Sequence, residues 1–493
     1  MKQKVKSPKA PKHVGWRLSR KERLCYYTGE MGRSFGGQLI SSFLTVFLLF
    51  QGISMTSIAG ITLIVKIIDA VDDVLFGYFV DRLDPTRIPF LKKLAGSGKY
   101  LPWYRCTFFL FPIATVLFFM MPSGLSEGMK LVWFGVFYLL YDLTCTIVEV
   151  PMSSMIVTLT DNMAERGNIL KVRGVIVTLA TIVLAVVYQL LVSENVGLPV
   201  SGVAITFMII YFVMMIPLTF GVKEYNAELK NTVEEKPERY TFKQMLNCVK
   251  TNKFLLILLV SCIIYACAQT GTALSTFVAY YLYGNSMLST VPMLVAMVPG
   301  LILQANADKI RLKMGGRNAI IMWTLMAGVG YLLLWMLGYS NVVMILAVST
   351  IACIPGAVRA VTINFIIPDT VEYTRYKTGQ DCSGIAYAMN SFVNKATAGV
   401  ASSVAVFILG LAGWVEVTAT DFADLAAQGI AQPQSALDAL WALNGLIPAI
   451  GMILSAVIMI FFTLRDSDAR LMARCNSGEI TREECEAQLS KKY

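Results

Sequence analysis

Apolar stretches long enough to cross a lipid bilayer are the feature that most constrains the fold of this chain. A transmembrane α-helix needs about 20 consecutive, mostly apolar residues. The stretches with this character are residues 25–50, 56–81, 101–122, 130–158, 170–193, 200–221, 253–284, 288–306, 318–338, 341–367, 384–412 and 440–464. Because the bilayer core offers no partner for free backbone N–H and C=O groups, each stretch should be helical. The sequence predicts an all-α polytopic membrane protein with twelve transmembrane helices.

The composition supports this interpretation and excludes nucleic acid as a partner. Hydrophobic residues make up 56% of the 493 residues and charged residues only 15%, whereas soluble domains have about 25% charged residues. The net charge is +10, but the basic residues lie in loops and tails between the apolar stretches. At such positions Lys and Arg set the topology and contact anionic lipid.

The residues needed for catalysis or nucleotide-driven transport are missing from the apolar stretches. The only histidine is His13, in the polar N-terminal tail, and the ten cysteines form no metal-ligand spacing. The sequence contains no G-x-x-x-x-G-K-[ST] motif. We therefore expect a protein that is not an enzyme, has no cofactor and draws its energy from an ion gradient.

Basic residues are distributed unevenly between the two sides of the predicted membrane domain. The N-terminal tail, the segment 223–252 and the loop after residue 306 are rich in Lys and Arg, whereas segment 413–439 has none. The positive-inside rule then places both termini in the cytoplasm. The predicted divisions are a tail (1–24), a six-helix half (25–222), a central loop (223–252), a second half (253–465) and a C-terminal tail (466–493), with a short helix in that last tail.

The second apolar stretch contains a cluster of charges, in IVKIIDAVDDVLFGYFVDR. Asp69, Asp72 and Asp73 are spaced i, i+3 and i+4, so they share one helix face, and Lys66 lies on the same stripe. Each charge at membrane depth costs about 2.5–3.5 kcal/mol on insertion scales, which makes it a candidate functional residue. Close carboxylates can be relieved by a proton or by a cation bound to their oxygens. The alternative is a static ion pair between Lys66 and one aspartate.

Further polar residues lie within other stretches of both halves. Asp142, Thr146 and Glu149 share one face of the fourth stretch. Additional candidates are Glu30 and Arg33 in the first, Arg359 in the tenth, and Asn390, Ser391, Asn394 and Lys395 in the eleventh. In a transporter built from two halves, such residues would converge on a central polar cavity.

The motifs resemble those of the glycoside–pentoside–hexuronide:cation symporter family, within the major facilitator superfamily. The resemblance extends over roughly residues 25–465 and is most specific in KIIDAVDDVLFGYFVDR, GKYLPWYR, TIVEVP, TLTDNMAERGNILKVR and DTVEYTRYKTGQDCSGIAYAMNSFVNK. It implies a coupling-cation site of Asp69, Asp73 and Thr146, with Asp72 beside it. It implies substrate contacts from Glu149, Lys395, Arg33 and Arg173, in a cavity that Ser34 and Ser391 would also line.

The sequence departs from the melibiose-transporting pattern of this family at three positions. Ser34 stands where a sugar-binding aspartate is expected, Ser153 replaces a tryptophan that lines the sugar, and Arg359 replaces an apolar residue. The loss of an acid and the presence of Arg33 and Arg359 favour an anionic sugar such as a uronide. The extra carboxylate of Asp72 leaves Na⁺ and H⁺ both open as the coupling ion.

We therefore expect a monomeric, multi-pass protein of a bacterial cytoplasmic membrane that imports a sugar, glycoside or hexuronide together with a cation. Its expected partners are this small molecule, the cation and membrane lipid. The alternatives are a transporter of the same fold for an amphipathic lipid or another small solute, a membrane sensor and an enzyme embedded in the membrane. The lipid alternative predicts a side opening lined by large apolar residues.

Overall fold

The computed structural model of the protein describes residues 16–82, 98, 100–160, 162–225, 250, 252–379 and 383–491. Within its helices, the side chains of 70–82, 150, 153, 154, 157, 163, 164, 383, 384, 387, 388, 391 and 395 lie outside the description.

The described part of the chain is α-helical, apart from short turns and one isolated bridge between Gln51 and Thr418. In the first half the helices are α1 (Arg20–Leu49), α2 (Met55–Arg82), α3 (Leu101–Thr107), α4 (Leu110–Phe119), α5 (Glu127–Leu159), α6 (Met163–Val192) and α7 (Val200–Gly221).

After the central segment, the chain continues with a second series of helices. These are α8 (Lys253–Cys267), α9 (Thr270–Tyr283), a 3₁₀ turn (Ser286–Ser289), α10 (Val291–Ala305), α11 (Ala307–Met314), α12 (Gly316–Leu337), α13 (Val342–Thr378), α14 (Ser383–Leu411), α15 (Phe422–Gln428), α16 (Gln434–Asn444), α17 (Leu446–Ile460), α18 (Asp466–Asn476) and α19 (Arg482–Gln488).

All twelve predicted apolar stretches are helical, so the predicted fold class is confirmed. In the described residues, nine helices are long and apolar enough to cross a membrane, or ten if α3 and α4, which meet at 42°, form one span. The other two stretches correspond to α1 and α2, which are 30 and 28 residues long and carry charges among their apolar residues. The division into halves at residues 222 and 253 stays a prediction.

Helix boundaries differ from the sequence prediction at several places. The tenth stretch was expected to end at residue 367, but α13 continues to Thr378, where Gly379 ends it with a φ of 72°. The twelfth span begins at Gln434 rather than residue 440. The tail forms two helices, α18 and α19, instead of one. These extensions contain many polar residues, and a helix can continue past the membrane boundary wherever its polar side chains reach water.

Helix starts follow from local capping chemistry. Ser19 and Glu22 form a reciprocal capping box at the start of α1, and the Asn252 side chain accepts a hydrogen bond from the Leu255 N–H at the start of α8. These bonds satisfy N–H groups that have no partner within the first turn. The helices then pack in pairs. In particular, α1 packs against α6 and α7, α2 against α5 and α14, and α12 against α13 and α17.

Contacts between the segments 16–225 and 250–491 concentrate at the end of the molecule that carries residues 413–439. The Gly52 N–H donates to the Val417 carbonyl at 3.0 Å and the Ala419 N–H to the Phe50 carbonyl at 3.0 Å. The Phe50 ring packs against Phe277 and Phe422. These hydrogen bonds and ring contacts close this end of the molecule in the part of the chain that the structure describes.

Glu194 forms a second connection at this closed end. Its carboxylate accepts hydrogen bonds from the Ser286 N–H at 2.7 Å and the Ser286 hydroxyl at 2.5 Å. The Gln189 amide donates to the same hydroxyl oxygen at 3.1 Å. Since Gln189 is on α6 and Ser286 begins the 3₁₀ turn after α9, these bonds fasten the first half to the second.

Candidate functional site

A central cavity of about 780 Å³ lies between the two halves. Its walls come from α1 and α2 on one side and from α8, α9, α13 and α14 on the other. Its polar lining residues are Ser41, Thr45, Lys66, Gln269, Thr272, Arg359, Asn364, Asn390, Asn394 and Ser402. Of the residues that the sequence predicts to converge on a central cavity, Arg359, Asn390 and Asn394 line this one, whereas Glu30, Arg33, Asp142, Thr146 and Glu149 do not. The volume lies within the range typical of small-molecule sites, roughly 300–1,000 Å³.

Arg359 is a buried cation on the wall of this cavity, with a residue exposure of 4%. Its guanidinium carbon lies 3.7 Å from the centre of the Tyr265 ring, a cation–π contact. Its Nε–H donates to the Thr324 hydroxyl at 3.0 Å, and Nη2 has no hydrogen-bond partner. No carboxylate of the described residues forms an ion pair with it at 4.0 Å or less. The Arg359 guanidinium could have paired with an acid of the protein such as Asp142 or Glu30, and neither forms an ion pair with it.

Lys66 and Asp69 form an ion pair on α2. The Lys66 ammonium donates to Asp69 Oδ2 at 2.9 Å and lies 5.0 Å from the centre of the Tyr138 ring. The α2 helix approaches α14 closely here, because a Cβ added to Gly399 would lie 2.5 Å from the Lys66 Cβ. The static ion pair considered from the sequence is thus present, and it occupies one carboxylate of the predicted cation site.

The neighbouring helix α5 brings further oxygen atoms toward this pair. Asp142 and Thr146 are buried, with exposures of 7% and 5%, and they share α5 with Tyr138, whose ring lies beside Lys66. Because α2 packs against α5, the structure places these acids near one another. The side chains of Asp72 and Asp73 lie outside the described part, so their contribution stays a prediction.

A network of ion pairs joins three helices of the first half around Glu30. The fully buried Glu30 carboxylate lies 2.6 Å from Arg173 Nε and 3.4 Å from Arg33 Nε, and it accepts a hydrogen bond from the Tyr26 hydroxyl. Arg33 also donates to Glu149 at 2.7 Å, and the Glu149 side chain is 50% exposed. Three predicted substrate contacts, Arg33, Arg173 and Glu149, are therefore linked to one another, directly or through Glu30.

The remaining predicted substrate residues have different surroundings. Ser34 is buried and its hydroxyl donates to the Glu30 carbonyl of its own helix at 3.1 Å. Ser391 and Lys395 belong to α14, whose residues Asn390 and Asn394 line the cavity. The side chains of Ser391, Lys395 and Ser153 lie outside the described residues.

Several residues that complete these contacts were not identified from the sequence. Tyr265 and Thr324 hold Arg359, and Tyr138 lies beside Lys66. Aromatic and hydroxyl side chains are common in membrane helices, so a single Tyr or Thr gives no distinct signal. Of the three residues, Tyr138 would have been the easiest to predict, because it precedes Asp142 by one helical turn on the same face.

Residues 25–466 match the protein family described as MFS/sugar transport protein, and the chain belongs to that family. The isoprimeverose transporter of Lactiplantibacillus pentosus is 26% identical over 460 residues, with 92% of this chain and 90% of the relative covered. The glucuronide carrier protein homolog of Escherichia coli (strain K12) is 25% identical over 404 residues, covering 79% and 83% of the two chains.

The fold has a solved counterpart in the crystal structure of the nucleoside transporter NupG. The TM-score is 0.61 at 10% sequence identity, covering 90% of this chain and 99% of that one. The protein is therefore a multi-pass membrane transporter of the major facilitator fold. The resemblance inferred from the sequence motifs and the prediction that the chain is not an enzyme are both confirmed.

Proposed function

We propose that this protein imports a glycoside bearing a carboxylate, of the hexuronide type, together with Na⁺ or H⁺. It would do so across the cytoplasmic membrane with both termini inside the cell. The observation that carries the proposal is the buried guanidinium of Arg359 on the wall of the central cavity, without a carboxylate partner in the described part of the chain. The likeness to a glucuronide carrier homolog supports the same substrate class.

The charge of Arg359 is the reason to favour an acidic substrate. A buried cation without an opposite charge costs several kcal/mol, and the Tyr265 ring offsets about 2 kcal/mol or somewhat more. A substrate carboxylate can accept two parallel hydrogen bonds from a guanidinium, and a neutral hydroxyl cannot. Arg359 thus favours a uronide over its neutral glycoside.

The coupling cation would bind at Asp69, with Thr146 and the carboxylates of Asp72 and Asp73. Lys66 holds Asp69 at 2.9 Å and also lines the central cavity. We infer that the arriving cation takes the place of the Lys66 ammonium on Asp69. The released ammonium then adds positive charge to the cavity, and this favours binding of an anionic substrate. By linkage, the substrate tightens cation binding by the same factor.

The hydroxyl groups of the sugar would bind to the opposite, first-half side. Glu149 is half exposed, and its second carboxylate oxygen provides an acceptor while Arg33 holds the first. Arg33, Arg173, Ser34, Ser391 and Lys395 complete the proposed set of substrate residues. Rocking of the two halves around this site would then expose it alternately to each side of the membrane.

An amphipathic lipid is the second candidate substrate, because a separate apolar cavity of about 180 Å³ lies between α6, α10 and α13. Ile182, Met293, Met297, Leu301 and Ile354 are among the apolar residues that line it. Its volume is below that of typical ligand pockets, roughly 300–1,000 Å³. The larger and more polar central cavity therefore favours the glycoside.

The test is uptake by the purified protein in proteoliposomes, under an inward Na⁺ gradient or an inward H⁺ gradient. Labelled methyl β-glucuronide, methyl β-glucoside and a lysophospholipid are compared in the wild type and in Arg359→Gln. We expect uphill uptake of the glucuronide under one gradient. Its affinity should fall about 10- to 150-fold in the variant, the equivalent of 1.5–3 kcal/mol for a charged hydrogen bond.

The controls separate the parts of the proposal. The glucoside affinity should change by less than about twofold in Arg359→Gln, since a neutral sugar has no carboxylate to lose. Equal losses for both sugars would refute the anionic substrate while leaving symport intact. Uptake that neither gradient drives would refute symport itself, and gradient-driven uptake of only the lysophospholipid would establish the second candidate.

A further inference from the structure

Four polar side chains form a hydrogen-bonded group that joins the two halves at the closed end. They are Gln189 on α6, Glu194 just after α6, Thr276 on α9 and Ser286 at the start of the 3₁₀ turn. Ser286 donates two hydrogen bonds to Glu194 and accepts one from Gln189. The Thr276 hydroxyl donates to the Gln189 side-chain oxygen at 3.4 Å. Each of these bonds connects the segment 16–225 with the segment 250–491, and we call the group the interhalf latch.

The interhalf latch is polar but largely buried. Gln189, Thr276 and Ser286 have exposures of 5%, 8% and 0%, and Glu194 is half-buried. Buried polar groups cost free energy unless they are hydrogen-bonded. The bonds that satisfy these side chains run between the halves, so they depend on this end of the molecule being closed.

Glu194 is the charged member of the interhalf latch. One carboxylate oxygen accepts the Ser286 N–H at 2.7 Å, and the other accepts the Ser286 hydroxyl at 2.5 Å. The Ser286 N–H is the first of its turn and has no partner within the turn, whereas the next N–H, that of Met287, donates to the Asn285 side chain at 2.9 Å. Hydrogen bonds to an ionised acceptor are stronger than those between neutral groups. Glu194 therefore contributes the strongest bonds of the interhalf latch.

Glu127 makes the same type of contact within one half. Its carboxylate accepts hydrogen bonds from the Ser54 N–H at 3.1 Å and from the Ser54 hydroxyl at 2.6 Å. Ser54 directly precedes α2 and Glu127 begins α5, so both belong to the first half. Ser54 also lies close in sequence to Gln51, which forms the isolated bridge with Thr418 at the closed end. The pair thus has the chemistry of Glu194 and Ser286, but a separation of the halves would leave it intact.

We propose that the interhalf latch is a gate, in which Glu194 holds this end closed through Ser286 and releases it once in each transport cycle. The proposal rests on the alternate opening of the two ends that is part of the proposed function, and it does not depend on the identity of the substrate. When this end opens, the side chains of the latch exchange their partners for water. The strength of the latch therefore sets the population of the state that is open at this end.

The test measures the distance between the halves at this end by double electron–electron resonance. It uses the full-length protein in nanodiscs without substrate. Spin labels are attached to p-acetylphenylalanine introduced at Val196 and Val343, so the native cysteines stay unchanged. Val196 follows α6 and Val343 lies near the start of α13, with exposures of 47% and 78%. Both positions lie at the end of the molecule that carries residues 413–439.

Glu194→Gln should shift the distance distribution toward long distances. The carboxamide keeps the shape of the side chain but loses the charge and one acceptor. We expect the ratio of the long-distance to the short-distance population to rise about tenfold, which corresponds to roughly 1.4 kcal/mol. The matched control is Glu127→Gln, in which the same ratio should change less than about twofold, because its contact does not join the halves.

A second variant removes the partner instead of the carboxylate. Ser286→Ala should also raise the long-distance population, and Glu194→Gln/Ser286→Ala should raise it by less than the product of the two single effects, because both changes remove the same contact. Equal shifts in Glu194→Gln and Glu127→Gln would mean a general loosening of this end and overturn the proposal. Unchanged distributions in both Glu194→Gln and Ser286→Ala would overturn it as well. Since no substrate is present, failure of the hexuronide proposal would leave these results unaffected.

Discussion

Arg33, Arg173 and Lys66 of the first half pair with carboxylates, whereas Arg359 of the second half lies against an aromatic ring and a hydroxyl group. In the first half, Arg33 and Arg173 both reach the buried Glu30, and Lys66 reaches Asp69 at 2.9 Å. In the second half, Arg359 lies in the membrane-embedded core against a ring and a hydroxyl group, and no carboxylate of the described residues pairs with it. The first half is thus internally neutralised at these positions, and the second half retains a positive charge at Arg359.

This difference indicates that the two halves have different roles. A closed set of ion pairs is costly to desolvate but rigid once formed, because breaking one contact leaves a charge buried alone. A guanidinium held by an aromatic face and one hydroxyl group keeps its remaining donors available for a ligand. Under the proposed function, the first half would supply a rigid network of ion pairs and the cation site, and the second half would supply the positive charge that an acidic substrate neutralises.

The largest expected effect is in Asp69→Asn. This change removes a carboxylate from the proposed cation site and also removes the partner of Lys66, so coupling to the ion gradient should be lost. We expect the accumulation ratio in proteoliposomes to fall to one, with normal insertion and monodisperse elution. Wild-type accumulation in Asp69→Asn would exclude Asp69 from the coupling site.

Lys66→Gln should strengthen cation binding instead. The half-saturating cation concentration should fall, because no ammonium competes with the cation for Asp69.

The second prediction concerns the network of ion pairs around Glu30 in the first half. Glu30→Gln leaves Arg33 and Arg173 without the buried charge they share, and losing one partner of a buried pair costs about 3–5 kcal/mol. The thermal midpoint of the purified protein should fall markedly. The control is Glu149→Gln, whose carboxylate is 50% exposed, so its ion pair contributes only about 0–1 kcal/mol. Similar thermal midpoints for Glu30→Gln and Glu149→Gln would show that Glu30 is not the centre of the ion-pair network.

Glu149→Gln should instead affect substrate binding. The change removes the charge and one acceptor from a side chain that we expect to bind sugar hydroxyls. Substrate affinity should fall by the equivalent of about 1.5–3 kcal/mol, measured by displacement of a labelled glycoside at saturating cation. The cation affinity, measured without substrate, should change less. A loss of equal size for cation and substrate would move Glu149 into the cation site.

The sequence was informative wherever charge stood out against an apolar background. Asp69, Glu149 and Arg359 were recognised because an ionised side chain at membrane depth is costly and therefore rare. The helices were predicted for a related reason, since only helices satisfy the backbone of long apolar stretches in lipid. Their ends were less predictable, as in α13, because a polar extension changes neither the apolar pattern nor the helical backbone.

The pairing of these charges could not be predicted from the sequence. Arg33 precedes Glu149 by 116 residues, and whether Glu30 meets Arg173 or Arg359 depends on how the helices pack. The partners of Arg359 were missed for a similar reason, because Tyr265 and Thr324 come from two other helices and carry no charge. Spacing along one helix predicts a shared face, and it leaves open what that face contacts.

Arg359→Lys would sharpen the comparison of the halves. Lysine keeps the positive charge but loses the planar fork and much of the stacking on Tyr265. Glucuronide affinity should therefore lie between that of the wild type and that of Arg359→Gln, about tenfold below the wild type, corresponding to roughly 1.4 kcal/mol. Equilibrium binding of the labelled glucuronide checks this order. If the lysine variant bound no better than the glutamine variant, charge alone would contribute nothing and the bidentate geometry would be decisive.

The smallest expected effect is in Thr324→Val, which removes the hydroxyl group that accepts the Arg359 Nε–H at 3.0 Å. One such hydrogen bond contributes about 0.5–1.5 kcal/mol, and valine keeps the shape of the side chain. The guanidinium would keep its place on Tyr265 but lose its fixed orientation. Glucuronide affinity should then fall about two- to tenfold, with glucoside affinity unchanged, in the same binding assay. Thr324 also donates a hydrogen bond to the Ile320 carbonyl of its own helix. If both sugars lost affinity equally, the hydroxyl group would support the packing of α12 rather than the orientation of the Arg359 guanidinium.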